Sequence, residues 1–362
     1  MSGATVLLRA AFDPIGKGHL QFARAASLRL GADVVFSPIY EGKEPMNVRA
    51  EMLGLMIKKE NTYGFSLDYF EAKSRGTSGV LDTLRHIALI RRGQKIYLPL
   101  SGEDFAALGK ETLRQITALA TILYVPGKND QVDDALLAES KAVRFPYGRI
   151  GSAYEDDLRN LRVMELPSYI RETIENKGLY FISVLGKHMS TKRLLHSISV
   201  ANLAYYIALS SKVEMAEKAY VAGLIHDIAK HLAPDQAKYQ LEKHMPEALG
   251  FPTWTYHQFL APFVAEEVFG IDDADITTAI VYHATGKAHM TPLAKIIYSA
   301  DKIEPTRGFD SSSLISACLK DYYVGFLEVL AANREYLLSN GYQIDNPLTK
   351  NCFEIYLGGS HA

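Results

Sequence analysis

The sequence predicts two domains of different class, an α/β domain over residues 1–182 followed by an all-α domain over 183–362. Three observations carry this expectation. Up to about residue 180, short β-rich runs alternate with helical stretches. After about Phe181 the strand signals fade into successive amphipathic helices. Eight of the eleven histidines fall between His188 and His289, inside the helical half. A length of 362 residues suits two domains, and an apolar content of 48% supplies a core for each.

In chain order, the runs read as strands are Thr5 to Leu8, Asp33 to Phe36, Phe65 to Phe70, Lys95 to Leu98 and Thr121 to Val125. All are rich in β-branched or other large apolar residues. Between them, His19 to Leu30, Asn47 to Lys59 and Gly79 to Arg92 are long enough to be right-handed crossovers, so the strands are expected to lie parallel in a Rossmann-like sheet. Leu166-Pro167 to Gly178 reads as the terminal helix of this domain, Pro suiting a helix start and Gly an end. The boundary is therefore expected near 181 to 190. No internal repeat or low-complexity tract points to a solenoid or a disordered tail.

Composition narrows the partners. A formal charge of -2 gives no global field for polyanionic nucleic acid, so phosphate binding must come from local groups. Cys318 and Cys352 are too few and too isolated for a disulfide framework or a thiolate metal site, which fits reduced thiols in a cytoplasm. No apolar run approaches the roughly 20 residues that span a bilayer, and no membrane partner is expected. The oligomeric state is left open, a homo-oligomer included.

The chemistry concentrates in the helical half, at His196, the pair His226-Asp227, His257, His283 and Asp301. In Val221 to Lys230 the stripe Val221, Leu224, Ile225 and Ile228 has the period of a face packed on a core, so the His-Asp pair interrupts a buried helix. Thr291 can cap and Pro292 can open a helix that places Asp301 on much the same face as Ile297. A buried carboxylate needs a partner, and a divalent metal held by imidazoles and carboxylates is an economical one. Six ligands would serve two metals. Two ions sharing an aspartate bridge would activate a water for in-line attack on phosphorus and neutralise charge on the leaving oxygen. His188, His231, His244 and His289 are read as surface histidines.

This series, with the strings His-Asp-Ile-Ala-Lys230, His283-Ala-Thr-Gly and Ala-Asp-Lys-Ile-Glu-Pro-Thr-Arg307, resembles the YqeK-type HD family over roughly residues 185 to 345. The resemblance implies a di-iron site and symmetrical cleavage of diadenosine tetraphosphate to two ADP. It implies that His196, His226, Asp227 and Asp301 hold one metal and that Asp227, as bridge, holds the other with His257 and His283. Manganese or zinc suits the same donors. Lys230 and Arg307 are placed to meet phosphate oxygens beside the catalytic Asp227. Gln258 and Phe259 stand where this family has small residues after the third histidine.

In the first half, Phe12-Asp-Pro-Ile-Gly-Lys-Gly-His19 lies between the first strand and the first helix, where loop amides and a helix N-terminus can cradle phosphate. It resembles the signature of nicotinate mononucleotide adenylyltransferase over roughly residues 4 to 180. In that family two histidines of a His-x-Gly-His element contact the triphosphate. Here Gly16 stands at the first position and only His19 remains, as a nucleotide-binding residue or a helix-capping surface histidine. Arg9-Ala10 replace the expected glycines, and acidic Glu155 and Asp156 stand where the family contacts phosphate. The expectation is a degenerate transferase-type domain fused to an HD metallohydrolase acting on a small nucleotide. Its alternatives are a bifunctional enzyme of NAD biosynthesis, and an HD phosphohydrolase of another nucleotide with a nucleotide-sensing first half.

Overall fold

Strands β1 (Ala4–Ala10), β2 (Ala32–Pro38), β3 (Phe65–Leu67), β4 (Lys95–Ser101), β5 (Thr121–Val125) and β6 (Val143–Arg144) form one parallel sheet in the order β3-β2-β1-β4-β5-β6. They belong to a computed structural model that describes residues 3–127, 132–159, 165–211 and 214–358. The order reverses at β1, whose Val6 pairs with Val34 on one side and Tyr97 on the other. Such a switch point, at the carboxyl ends of the strands, is where open α/β sheets bind ligands. The Phe12 to His19 loop lies there.

Helices α1 (Lys17–Leu30), α2 (Met46–Lys59), α3 (Phe70–Lys73), α4 (Val80–Ile90), α5 (Gly102–Ala107), α6 (Lys110–Leu119), α7 (Asp134–Glu139) and α8 (Ser152–Arg159) fill the connections. Leu7, Val35, Leu98 and Ile122 from the strands pack with Leu84 and Ile87 of α4 and Leu113 and Ile116 of α6. Burying each such side chain contributes about 1.5–3 kcal/mol. The strand read as Phe65 to Phe70 ends at Leu67. The Asp68 N–H donates to Phe36 O, and the Asp68 carboxylate accepts the Phe70 N–H at 3.0 Å, turning the chain into α3.

The chain divides into two compact units, Met1–Thr173 and Ile174–Ala362, so the division falls inside α9 (Ser168–Lys177), earlier than residue 182. The second unit contains α10 (Phe181–His188), α11 (Thr191–Ser210), α12 (Ala216–Ile225), α13 (Pro234–His244), α14 (Tyr256–Phe269), α15 (Ala274–Val281), α16 (Pro292–Ile303), α17 (Ser312–Lys320), α18 (Tyr322–Ser339) and α19 (Pro347–Leu357). Helices α11 and α12 cross closely at Gly223, where an added Cβ would lie 2.5 Å from the Ala201 Cα. No helix among the described residues is long and apolar enough to cross a membrane.

Candidate metal centre

Helix α12 ends at Ile225, so His226 and Asp227 occupy its exit rather than its interior as the apolar stripe suggested. A short 3-10 turn, Ile228–His231, follows. Near a helix end some carbonyls lack intrahelical partners, and His226 uses one. Its Nδ1 is 2.8 Å from Gly223 O. His283, just past α15, repeats the contact with Ile280 O at 2.7 Å, and His257, near the start of α14, does so with Trp254 O at 2.9 Å. An Nδ1–H donated to a carbonyl leaves the Nε2 lone pair free to point elsewhere. His231 makes the same contact with Ile228 O but is exposed, so the contact alone does not mark a ligand.

The Nε2 atoms converge on two carboxylates. Asp227 Oδ1 lies 3.4 Å from His257 Nε2 and 3.3 Å from His283 Nε2, while its Oδ2 is 3.7 Å from His226 Nε2. Asp301 Oδ1 lies 3.2 Å from His196 Nε2 and 3.7 Å from His226 Nε2. Helix α16 delivers Asp301 as expected: Thr291 caps it by accepting the Ala294 N–H at 3.2 Å, and Pro292 opens it. Two overlapping groups, His196–His226–Asp301 and His226–Asp227–His283, have ligand atoms close enough to hold an ion, and they share His226. His226 Nε2 is buried without a hydrogen-bond partner, which costs free energy unless something with affinity for a lone pair meets it. The donors therefore fit divalent metal.

Protonation states agree with that fit. Burial lowers His226 to about 4 and His257 to about 3, so both imidazoles are neutral at neutral pH. Burial opposes charge on Asp227 and Asp301, yet the histidines and cations facing them hold both carboxyls well below the usual range. His196 is lowered by burial but raised above its ordinary value on balance by Asp301 and Glu304.

A cleft of about 750 Å³ opens over Asp227 and His196, rimmed by Lys192, Arg193, Lys230 and Arg307. Lys230 and Arg307, read as phosphate contacts, rest on carboxylates: Lys230 Nζ is 3.2 Å from Asp227 Oδ2, and an Arg307 guanidinium nitrogen is 2.5 Å from Asp301 Oδ1. Arg193, which sequence reasoning passed over, is 2.5 Å from Asp227 Oδ2. Its signal was its place three residues before His196, on the same helix face. Gln258 and Phe259 do not narrow this cleft. Gln258 donates to Thr285 Oγ1 at 3.1 Å, and Phe259 is buried against Phe251.

The loop of the first unit is filled by its own chain. The Phe12 N–H donates to Glu155 Oε1 at 2.6 Å and the Gly18 N–H to the Tyr154 hydroxyl at 2.7 Å, both partners coming from α8. Arg49 donates to Ala11 O at 2.6 Å, and Arg159 to Asp13 O at 3.0 Å. His19 caps α1, its Nδ1 accepting the Gly16 N–H at 3.1 Å, but it is fully buried, which corrects the surface reading. Its Nε2 faces Glu155 at 3.9 Å. Burial lowers His19 to about 3 and pushes Glu155 up to about 7. A Cβ at Gly16 would lie 2.6 Å from both Leu158 Cδ1 and the Tyr154 hydroxyl.

Residues 193–306 match the HD domain family. The chain is 26% identical over 316 residues to a probable nicotinate-nucleotide adenylyltransferase/Ap4A hydrolase of Mycoplasma genitalium, covering 85% of this chain and 89% of that protein. It is 31% identical over 130 residues to the symmetrical bis(5'-nucleosyl)-tetraphosphatase of Bacillus subtilis, 35% of this chain and 69% of that one. It is 28% identical over 128 residues to a probable nicotinate-nucleotide adenylyltransferase of Aquifex aeolicus, 33% of this chain and 75% of that protein.

Proposed function

The chain belongs to the HD-domain family of symmetrical bis(5'-nucleosyl)-tetraphosphatases, and on that premise we propose that it hydrolyses diadenosine tetraphosphate to two ADP. The observation that supports this reading most is the two overlapping groups, His196–His226–Asp301 and His226–Asp227–His283, which share His226 beneath a cleft rimmed by four cations. In this reading His196, His226, Asp227 and Asp301 hold one ion, and Asp227, His257 and His283 the other, with iron as the proposed metal. Two such ions would supply Lewis acidity and an activated water for attack on phosphorus. Asp227 turns Oδ1 toward His257 and His283 and Oδ2 toward His226, which suits a bridge. Arg193, Lys230 and Arg307 meet a polyphosphate by charge-assisted hydrogen bonds and hold its central bridge over the site.

Full-length protein loaded separately with iron, manganese and zinc, and offered a panel of dinucleoside polyphosphates and mononucleotides, tests this. Turnover of diadenosine tetraphosphate ahead of the mononucleotides is expected. Asp227→Ala should lower it by at least about a hundredfold, more than loss of an outer-shell partner costs, while His244→Ala leaves it nearly unchanged. Faster hydrolysis of a mononucleotide would move the substrate to another class.

A bifunctional reading is favoured by similarity to the Mycoplasma genitalium protein along 85% of this chain. The loop geometry weighs against it. Glu155 and Tyr154 occupy amides that a phosphate would need, and Leu158 fills the space of a side chain at position 16. The first domain is therefore read as degenerate, with His19 no longer presented to nucleotide. In full-length Asp227→Ala protein, no dinucleotide should form from ATP and nicotinate mononucleotide. Gly16→His should not rescue it, although one charge-stabilising donor is worth about 3–4 kcal/mol in an open site. Ordinary enzymatic turnover in either protein would restore the bifunctional reading.

A further inference from the structure

Three of the four histidines that face the two aspartates are oriented by a backbone carbonyl three residues back. His196 is the exception. It sits early in the 20-residue α11, where the preceding carbonyls accept helix N–H groups. Its ring must be fixed from another element, and its Nδ1 lies 2.8 Å from Glu304 Oε1. Glu304 is 1% exposed and follows α16 directly. The same carboxylate accepts the Thr306 N–H at 2.6 Å and the Thr306 hydroxyl at 2.7 Å, building the Pro305–Arg307 turn. From that turn Arg307 donates to Asp301 O and Oδ1, both at 2.5 Å.

We propose that Glu304 is a positioning residue with two tasks: it fixes the His196 ring so that Nε2 faces Asp301, and it folds the turn that holds Arg307 over the same aspartate. A carboxylate behind a ligating imidazole fixes its tautomer and raises its basicity, and loss of such a partner typically lowers metal affinity 10–100-fold. The Glu-Pro-Thr-Arg string thereby has a physical meaning: the acid serves the histidine, and the arginine serves the acid's own neighbour on α16. Glutamine keeps an acceptor for the His196 Nδ1–H but cannot accept the Thr306 N–H while doing so. It separates the two tasks.

This inference rests on His196 being a metal ligand, so the test carries His196→Ala beside Glu304→Ala and Glu304→Gln, all in the full-length chain. Zinc affinity is measured by competition with a graded chelator, and ring tautomers by nitrogen NMR of histidine-labelled protein. Glu304→Ala should weaken one zinc site by about 10–100-fold and shift the His196 ring from a single Nδ1–H tautomer to a mixture. Glu304→Gln should recover most of that affinity and the tautomer. Unchanged zinc binding in His196→Ala would overturn the ligand reading and this inference with it. Loss in His196→Ala beside unchanged affinity and tautomer in Glu304→Ala would overturn the inference alone.

Discussion

Asp227 carries more of the site than any other residue, because its two oxygens together meet five side chains. Oδ1 meets His257 and His283, Oδ2 meets Arg193 and, more distantly, His226, and Lys230 donates to both. Arg193 thus stands between the carboxylate and the cleft, where the proposed polyphosphate would compete for the same guanidinium. Arg193→Met should raise KM for diadenosine tetraphosphate by about 10–100-fold, as loss of a hydrogen bond to a charged group predicts, with a smaller effect on kcat. Steady-state kinetics read the split, and an unchanged KM would remove Arg193 from the phosphate contacts. The sequence displayed His226 and Asp227 because they follow an apolar helical stripe, and Asp301 because Thr291 and Pro292 start a helix that carries it. Arg193 and Glu304 stayed hidden because a charged residue on a helix, or just past its end, reads equally well as solvated. Only the fold brings Glu304 to His196 across 108 positions.

At the scale of elements, strands β1, β2, β4 and β5 were legible because each is a run of large apolar residues next to a helical pattern. Strand β6, two residues long, is too short for any periodicity to register. The role of α8 was equally hidden, since Phe12 and Glu155 are 143 positions apart. Acidic residues in that stretch were legible, but not that one of them supplies the loop with its own hydrogen-bond acceptor. Glu155 makes this contact measurable. Burial raises its carboxyl from 4.5 to about 7, while the Phe12 N–H and Arg159 pull it down and Asp13 pushes it up. The folded domain therefore prefers the protonated acid. That contribution is complete below pH 4.5 and is lost as pH rises through 7. Glu155→Gln removes the titration. Its stability relative to the wild type should climb between those pH values by at most about 3 kcal/mol and then level off, as read by hydrogen exchange of β1 peptides. A pH-independent difference would mean that Glu155 titrates in the folded domain as it does in the unfolded chain.

For the whole molecule, a parallel α/β half followed by a helical half was legible because hydrophobic periodicity changes near residue 180, and periodicity distinguishes these classes well. The division inside α9 was not legible, since a continuous helix gives no sequence signal where contacts change allegiance. The proposed hydrolysis resides in the helical unit, with the α/β unit folded around a loop that its own side chains satisfy. Hydrolysis of diadenosine tetraphosphate in ¹⁸O-labelled water, by wild-type and Asp227→Ala protein, tests that claim most directly. ADP is expected as sole product, with one of the two ADP molecules carrying a single ¹⁸O on its β-phosphate, and no ADP from the variant. ATP with AMP, or undiminished ADP from Asp227→Ala, would contradict it.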